Sequence, residues 1–164
     1  MSVFPRHPAI PRVIPAHQRR IVLWLGLLIV LLLEPLRFAP VHGSSMEPTL
    51  SEGDLVCFQV MEAGLLPDRG DIVVFHAPTR PGKMFVKRLV GLPGDELRFT
   101  GGKLRVNGIE MPLPASAIEL GFSLATRVPS GCFYAIGDHA RVSYDSRGFG
   151  PVRTDYLVGR LLGY

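Results

Sequence analysis

The chain has few of the residues from which metal centres and disulfide frameworks are built. Its 164 residues include only two cysteines, Cys57 and Cys132, and five histidines, with no C-x-x-C or H-E-x-x-H spacing. The sequence therefore gives no support for a metal site, and we expect no cofactor. A disulfide between the two cysteines is permitted in an exported protein. Two buried free thiols are the alternative, and the spacing does not decide between them.

An excess of charge is also missing from most of the chain. The formal net charge is +4, but the first 20 residues contain four arginines and no acid, so the remainder balances 14 basic against 14 acidic side chains (18 − 4 = 14). A protein that binds nucleic acid needs basic side chains spread along one face. We therefore expect no nucleic-acid partner.

One long apolar run is present near the N-terminus. Residues 21–33 (IVLWLGLLIVLLL) contain no charge, whereas residues 1–17 contain four prolines and no apolar periodicity. We predict a disordered basic cytoplasmic tail over 1–17, a single transmembrane anchor helix over 18–38 and an exported domain over 39–164, because arginines before an apolar run favour a cytoplasmic N-terminus. A cleavable signal peptide is the alternative, and it too exports the domain.

The rest of the chain is predicted to be mainly β. Short apolar runs alternate with Gly/Pro turns, and no convincing amphipathic helix follows residue 33. Such a pattern favours an antiparallel β-sheet or barrel, with residues 111–130 as a long loop. The predicted strands cover residues 55–60, 71–76, 84–91, 96–99, 104–106, 133–136 and 157–162.

A candidate general base emerges by elimination. No G-x-S-x-G elbow is present, arginine stays protonated, and the chain has only three lysines, Lys83, Lys87 and Lys103. Lys83 and Lys103 follow glycines in predicted loops, but Lys87 lies in a strand between Phe85 and Leu89 on the same face. Poor hydration there would lower its pKa towards neutrality. A lysine on an edge strand that reaches out to water is the structural alternative.

A candidate nucleophile lies in residues 42–50 (HGSSMEPTL). Met46 and Leu50 would be unusual in a flexible linker, and Pro48 stiffens the segment. A serine hydroxyl held on a short stiff segment loses less orientational freedom when it attacks. It still needs a base to remove its proton.

Four blocks of the chain resemble the type I signal peptidases, which are Ser–Lys dyad serine peptidases. The first block is similar to their serine box and the third to their lysine box. In chain order the blocks are residues 45–50 (SMEPTL), 69–75 (RGDIVVF), 85–95 (FVKRLVGLPGD) and 143–152 (SYDSRGFGPV). Each block alone is a weak signal, but four in this order are specific. One departure is residues 139–142 (HARV), where the family has an asparagine-rich run.

The resemblance implies a site and an activity. Ser45 would be the nucleophile, Lys87 the base, and Ser143 a hydrogen-bond partner of the lysine amine. Asp145 and Arg147 would form a supporting ion pair. The oxyanion region would include the Ser45 N–H and position 43, where glycine (Gly43) provides no hydroxyl donor. The fold would be the signal-peptidase-type β domain.

The same resemblance implies partners and a location. Substrates would be exported preproteins with small residues at −1 and −3, cleaved by a monomer in contact with membrane lipid. The enzyme would be a single-pass protein of the bacterial inner membrane with its catalytic domain on the extracytoplasmic side. A pilin-maturation or mitochondrial inner-membrane processing peptidase is one alternative. A self-cleaving repressor and a non-catalytic membrane-anchored module are two others, which the neutral body and the intact serine and lysine respectively disfavour.

Overall fold

The structure is a computed structural model, and it describes residues 15–33, 36–62 and 64–164. The chain divides into two units, residues 1–34 and residues 35–164. We call the second the β unit. Most of the predicted tail over 1–17 lies outside the described residues, and Ala16 and His17 are helical rather than part of a disordered tail.

The first unit contains helix α1, Ala16–Leu33. Eighteen residues span about 27 Å at 1.5 Å per residue. The helix ends two residues before Pro35, which lacks a backbone donor and disfavours continuation. Residues 36–38, predicted to be part of the anchor, instead lie in a strand. Within the described ranges, the structure has no helix that combines the length and apolarity needed to cross a membrane, so the predicted transmembrane helix is not found.

The β unit contains two antiparallel sheets. The larger has seven strands in the order β1-β2-β11-β3-β4-β9-β10, and the smaller has four in the order β7-β6-β5-β8. The strands of the larger sheet are β1 (Leu36–Pro40), β2 (Leu55–Val60), β3 (Ile72–His76), β4 (Met84–Gly91), β9 (Cys132–Ile136), β10 (Val152–Arg153) and β11 (Leu157–Leu161). Those of the smaller are β5 (Glu96–Thr100), β6 (Lys103–Val106), β7 (Ile109–Met111) and β8 (Leu124–Arg127). Short helical elements cover Ala115–Ala117, Ser146–Phe149 (α2) and Thr154–Tyr156.

The predicted mainly β, antiparallel fold is confirmed, but part of the predicted loop is wrong. All seven predicted strands are present. Residues 111–130 are not a continuous loop, because they contain the end of β7, a 3-10 turn and β8. Strand β8 (LATR) has little apolar character, and it forms because it pairs with β5 from Glu96 to Phe99. The free thiols of Cys57 and Cys132 do not form a disulfide.

Three apolar clusters hold the β unit together. The first joins the two sheets, since Val90, Tyr134 and Ile136 of the larger sheet pack with the inner face of the smaller one. The second lies beneath the segment that follows β1 and includes Met46 and Leu50. The third packs around β3, β4 and β9. Strand β4 contributes to all three clusters, either directly or through side chains packed against them.

A buried carboxylate fixes the turn that connects the two sheets. Asp95 accepts hydrogen bonds from Arg69 Nε and Nη2, both at 2.6 Å, and from the Leu92 N–H at 2.8 Å. Burial alone would raise the pKa of Asp95, but these bonds and the positive charge of Arg69 outweigh it and lower the pKa.

Candidate active site

The segment between β1 and β2 presents Ser45. Its two ends are joined, because Val41 N–H donates to the Asp54 carbonyl at 2.8 Å and Gly53 N–H donates to the Val41 carbonyl at 2.9 Å. Val41 before Ser45, and Met46 and Leu50 after it, are buried in one apolar cluster, so the chain is anchored in the core on both sides of Ser45. Gly43 has φ +79°, a backbone conformation that favours glycine. Ser45 therefore lies on a fixed turn, as the stiffness of this segment predicts.

Lys87 lies on β4, directly beside Ser45. Its Nζ donates to Ser45 Oγ at 2.6 Å and to the Val86 carbonyl at 2.9 Å. Strand β4 pairs with β3 from Met84 to Arg88 but with β9 only from Arg88 onward, so Lys87 is the last residue of β4 before the pairing with β9 begins. With 4% of its surface exposed, the side chain does not reach out to bulk water.

Burial changes the proton affinity of this amine. Desolvation lowers the pKa of Lys87 to about 8, although the negative charges of Asp145 and Asp138 work in the opposite direction. A neutral amine at the same 2.6 Å separation can accept the proton of the Ser45 hydroxyl. The geometry therefore suits general-base catalysis, in which the amine takes the hydroxyl proton while the oxygen attacks.

The residues predicted to support Lys87 form a cluster around Asp145. This carboxylate accepts hydrogen bonds from Ser143 Oγ at 2.6 Å, from the Gly137 N–H at 2.8 Å and from Arg147 Nε at 2.9 Å, and it also pairs with Arg147 Nη2. Burial would raise the pKa of Asp145, but these partners outweigh it and lower the pKa. Among the hydrogen bonds of the described residues, the Ser143 hydroxyl has no bond to Lys87. The Ser143 hydroxyl donates to Asp145, and the predicted hydrogen bond between Ser143 and the Lys87 amine is not formed.

Two backbone positions after β9 hold Ser45 from the other side. The His139 N–H donates to the Ser45 carbonyl at 3.1 Å. Gly137 is packed so closely that a Cβ atom would overlap the Ser45 carbonyl oxygen and the Ser143 side chain. The motifs quoted from the sequence assign no role to Gly137. A glycine directly after a buried strand was the available signal.

An ion pair connects the serine segment (residues 42–50) to Arg88, which lies on the face of β4 opposite Lys87. Arg88 donates to Asp138 through Nε at 2.8 Å and Nη2 at 2.6 Å, and Thr49 Oγ1 donates to the same carboxylate at 2.5 Å. The Arg88 Nη1 also donates to the Gly70 carbonyl at 2.7 Å. Because Asp138 is fully buried, this bidentate pair is shielded from water. Alternation along β4 predicts that Arg88 points away from Lys87, but it does not reveal this partner.

The oxyanion region is only partly defined by these contacts. Within the described residues, the Ser45 N–H donates no hydrogen bond to the backbone or to a side chain, so it is available to a substrate oxygen. Gly43 lies close by and has no side-chain donor.

Ser45 and Lys87 lie in a groove with a volume of about 520 Å³. One wall is formed by the end of β1 and the serine segment, and the other by the first half of β4. The side chains that line it include Val41, Met46, Val56, Val74, Met84, Phe85, Val86, Val142 and Tyr144. The groove is mainly apolar next to the serine and lysine.

His139 is the first of the four residues, 139–142, that differ from the asparagine-rich run of the similar family. Its Nδ1 lies 3.9 Å from the Glu47 carboxylate of the serine segment. Within the described part of the chain, this buried nitrogen has no hydrogen-bond partner. The backbone N–H of His139 still performs the contact with Ser45 described above.

The chain is similar to known signal peptidases in sequence. A family described as "Signal peptidase, peptidase S26" matches residues 16–162. The chain is 36% identical over 137 residues to a signal peptidase I of Bacillus caldolyticus, covering 74% of each protein. It is 34% identical over 135 residues to signal peptidase I V of Bacillus subtilis, covering 73% of this chain and 79% of that one.

A solved structure gives a similar result. A signal peptidase I from Enterococcus faecalis V583 superposes with a TM-score of 0.53 at 28% sequence identity. The match covers 59% of this chain and 97% of that chain.

Proposed function

Since the chain belongs to the signal peptidase family, peptidase S26, it is a serine peptidase that removes signal peptides, and we propose that Ser45 and Lys87 perform this reaction as a dyad. The observation that carries the proposal is the 2.6 Å contact between the buried Lys87 Nζ and Ser45 Oγ. Both groups line one groove, where a peptide can reach them.

The reaction begins with proton transfer. Neutral Lys87 removes the proton of Ser45 Oγ while this oxygen attacks the scissile carbonyl carbon. The Ser45 N–H donates to the oxygen that becomes negatively charged, and losing such a donor typically costs about 3 kcal/mol of transition-state stabilisation. Because Gly43 has no hydroxyl, the second donor is a backbone N–H or a water.

The second half of the reaction returns the site to its starting state. The Lys87 ammonium gives its proton to the leaving amine as the C–N bond breaks, which leaves an acyl-enzyme on Ser45. Lys87, neutral again, takes a proton from a water that attacks the ester carbonyl. Collapse of that intermediate breaks the ester bond, and the ammonium returns the proton to Ser45.

The groove suits an extended substrate. Strand β1 is at the edge of its sheet, and β9 pairs with β4 only from Arg88 onward, so the first half of β4 has a free edge. A peptide can add to such an edge as a further strand, with alternate side chains facing the protein. The apolar side chains below leave room for small residues at −1 and −3, where pockets discriminate mainly by excluding bulk.

The network around Asp145 and Asp138 positions the dyad in this proposal. Asp145 and Arg147 fix the loop after β9, which contacts the Ser45 backbone through its first and third residues. Asp138 and Arg88 fix the far end of the serine segment through the Thr49 hydroxyl. The proposed reaction requires no contact between these two ion pairs and the substrate, so their members act as positioning residues.

We also propose that α1 associates with lipid and that the β unit works on the extracytoplasmic side. The described apolar side chains between Ile21 and Val30 are 49–71% exposed on all sides of α1. A helix that is apolar all round needs apolar surroundings. The substrates are exported preproteins, so the β unit that cleaves them should lie on the side of the membrane to which they are exported. Sedimentation of the full chain with membranes tests the association, and Leu23→Asp with Leu27→Asp should release it.

Substitutions in the dyad test the mechanism. With a purified preprotein in detergent micelles, Ser45→Ala and Lys87→Arg should each lower cleavage by about a thousandfold or more, because nucleophile and base act as one unit. Ser44→Ala is the matched control and should retain substantial activity. Cleavage that survives in Ser45→Ala and disappears in Ser44→Ala would transfer the nucleophile role to Ser44.

A further inference from the structure

The groove that contains Ser45 is unbalanced in charge. Three cationic side chains, Arg80, Lys83 and Lys87, line it, and no carboxylate is among its lining residues. Lys87 is buried at the dyad. Arg80 and Lys83 are exposed and come from the turn between β3 and β4, so they place positive charge at one end of the groove.

Hydrogen bonds within the turn fix the backbone of both residues. The Ala77 N–H donates to the Lys83 carbonyl at 2.9 Å, and the Lys83 N–H donates to the Arg80 carbonyl at 3.1 Å. Pro81 fixes its own φ, and Gly82 has φ +75°. Because the backbone of this turn is already ordered, only the side chains of Arg80 and Lys83 lose conformational freedom when they bind a ligand.

A second contact holds Arg80 at the groove. The Arg80 Cζ lies 5.6 Å from the centroid of the Tyr144 ring, which itself packs edge-on against Phe149 at 5.2 Å. A cation over an aromatic ring is stabilised while its N–H donors remain free for other partners. None of the ion pairs formed by the described residues involves Arg80 or Lys83.

We propose that Arg80 and Lys83 form a subsite that selects an acidic side chain of the substrate and disfavours a basic one. The inference rests on the proposed function of the groove, and it adds a specificity determinant to it. The chemistry is that of a carboxylate facing a guanidinium and an ammonium beside a partly desolvated groove.

The position of the selected residue follows from strand geometry. Lys83 directly precedes β4 and lies four residues before Lys87, and a strand advances about 3.3 Å per residue, so their Cα atoms are separated by roughly 13 Å along the strand direction. A peptide extended along the same edge advances at the same rate. The acidic side chain should therefore lie about four residues from the cleaved bond, within roughly one position, and on one side of it only.

A matched substrate series tests this. Preproteins that differ only by Glu, Gln or Lys are made for each position three to five residues on either side of the cleaved bond. They are cleaved by the full chain in detergent micelles, and kcat/KM is measured. At one such position kcat/KM for the Glu substrate should be roughly tenfold higher than for the Lys substrate at low salt. This ratio should become smaller at about 0.5 M salt.

Protein variants identify the cations responsible. In the double variant Arg80→Gln, Lys83→Gln the Glu-to-Lys ratio should fall to near one, and each single variant should lie between. The ratio is measured within one enzyme preparation, so it does not depend on the folded fraction. Lys103→Gln, an exposed lysine on β6, is the matched control and should leave both the activity and the ratio unchanged.

The outcomes separate the two proposals. If the Gln substrates are cleaved but Glu and Lys are equivalent at every position, the subsite is wrong and the dyad stands. A preference that persists in the double variant would also overturn the subsite. If wild type cleaves none of the substrates, the proposed function itself fails.

Discussion

The two sheets of the β unit bury different kinds of side chains. The larger sheet and the loop after β9 enclose Lys87, Asp138, Asp145 and Ser146. On β5 and β6 of the smaller sheet the buried side chains are all apolar, with Leu97, Phe99, Leu104 and Val106 alternating with exposed residues. Burying an ionisable group is unfavourable unless partners compensate, whereas burying an apolar side chain is favourable. We infer that the smaller sheet mainly stabilises the fold, whereas the larger sheet loses some folding stability because it buries the charged groups of the site.

The largest expected effect tests the stabilising role of the smaller sheet. Phe99 is fully buried and contacts Phe122 and Tyr134 with ring centroids 5.5 and 6.0 Å apart. Phe99→Ala should lower the free energy of unfolding by about 3–5 kcal/mol, as large cavities do. Urea denaturation measures this, and kcat per folded molecule should not change.

The control for Phe99→Ala lies on the same strand. Thr100 is exposed, and Thr100→Ala should change the free energy of unfolding by less than about 0.5 kcal/mol. A loss of kcat in the folded fraction of Phe99→Ala would show that the two sheets are not separable in this way.

The next effect tests the positioning role of the larger sheet. In Gly137→Ala the new methyl group would overlap the Ser45 carbonyl and the Ser143 side chain, so the nucleophile must move. A displacement of about 1 Å can cost roughly a hundredfold in kcat, and preprotein cleavage measures it. Gly121→Ala is the matched control, because no atom lies within 4 Å of its Cβ position and activity should be unchanged. Wild-type kcat in Gly137→Ala would show that the close packing is not needed.

The smallest effect concerns the pH dependence of the buried amine. Only neutral Lys87 can act as a base, and its pKa is lowered to about 8. We expect kcat/KM to fall about tenfold for each pH unit below 8 and to level off above it. A pH–rate profile without an ionisation between roughly 6 and 9 would contradict the proposed base.

The same pKa predicts how stability depends on pH. The unfolded lysine keeps a proton up to its ordinary pKa of 10.5, while the folded one releases it near 8. Between these values the unfolded state binds more protons, so the free energy of unfolding should rise with pH there. Lys87→Met should abolish this rise and should be more stable than wild type at pH 7, by about 3 kcal/mol at most.

Much of the fold and the two central residues could be predicted from the sequence. Lys87 was identifiable because alternation along one strand placed it between apolar neighbours, and a strand's alternation depends only on local sequence. The serine segment was identifiable through its resemblance to a family box. Four strands, β1, β7, β8 and β10, were not predicted. Strand β1 was hidden in the apolar sequence after the helix, β7 and β10 have only three and two residues, and β8 depends on pairing with β5.

The contacts around the site were less predictable. The partner of the Ser143 hydroxyl depends on which acceptor lies nearest after folding, and the structure brings it to Asp145 instead of Lys87. The packing of Gly137 against Ser45 joins residues far apart in the chain. No local pattern encodes such distances.

Three consecutive residues after β9 each form a hydrogen bond with a different part of the site. The Gly137 N–H binds Asp145, the Asp138 carboxylate binds Arg88, and the His139 N–H binds the Ser45 carbonyl. One inserted or deleted residue here would break all three contacts together, because each depends on the same register. Among the hydrogen bonds of the described residues, none joins Gly101 or Gly102 to a residue outside their own hairpin. Length variation among natural homologues should therefore be rare after β9 and common at that distant hairpin.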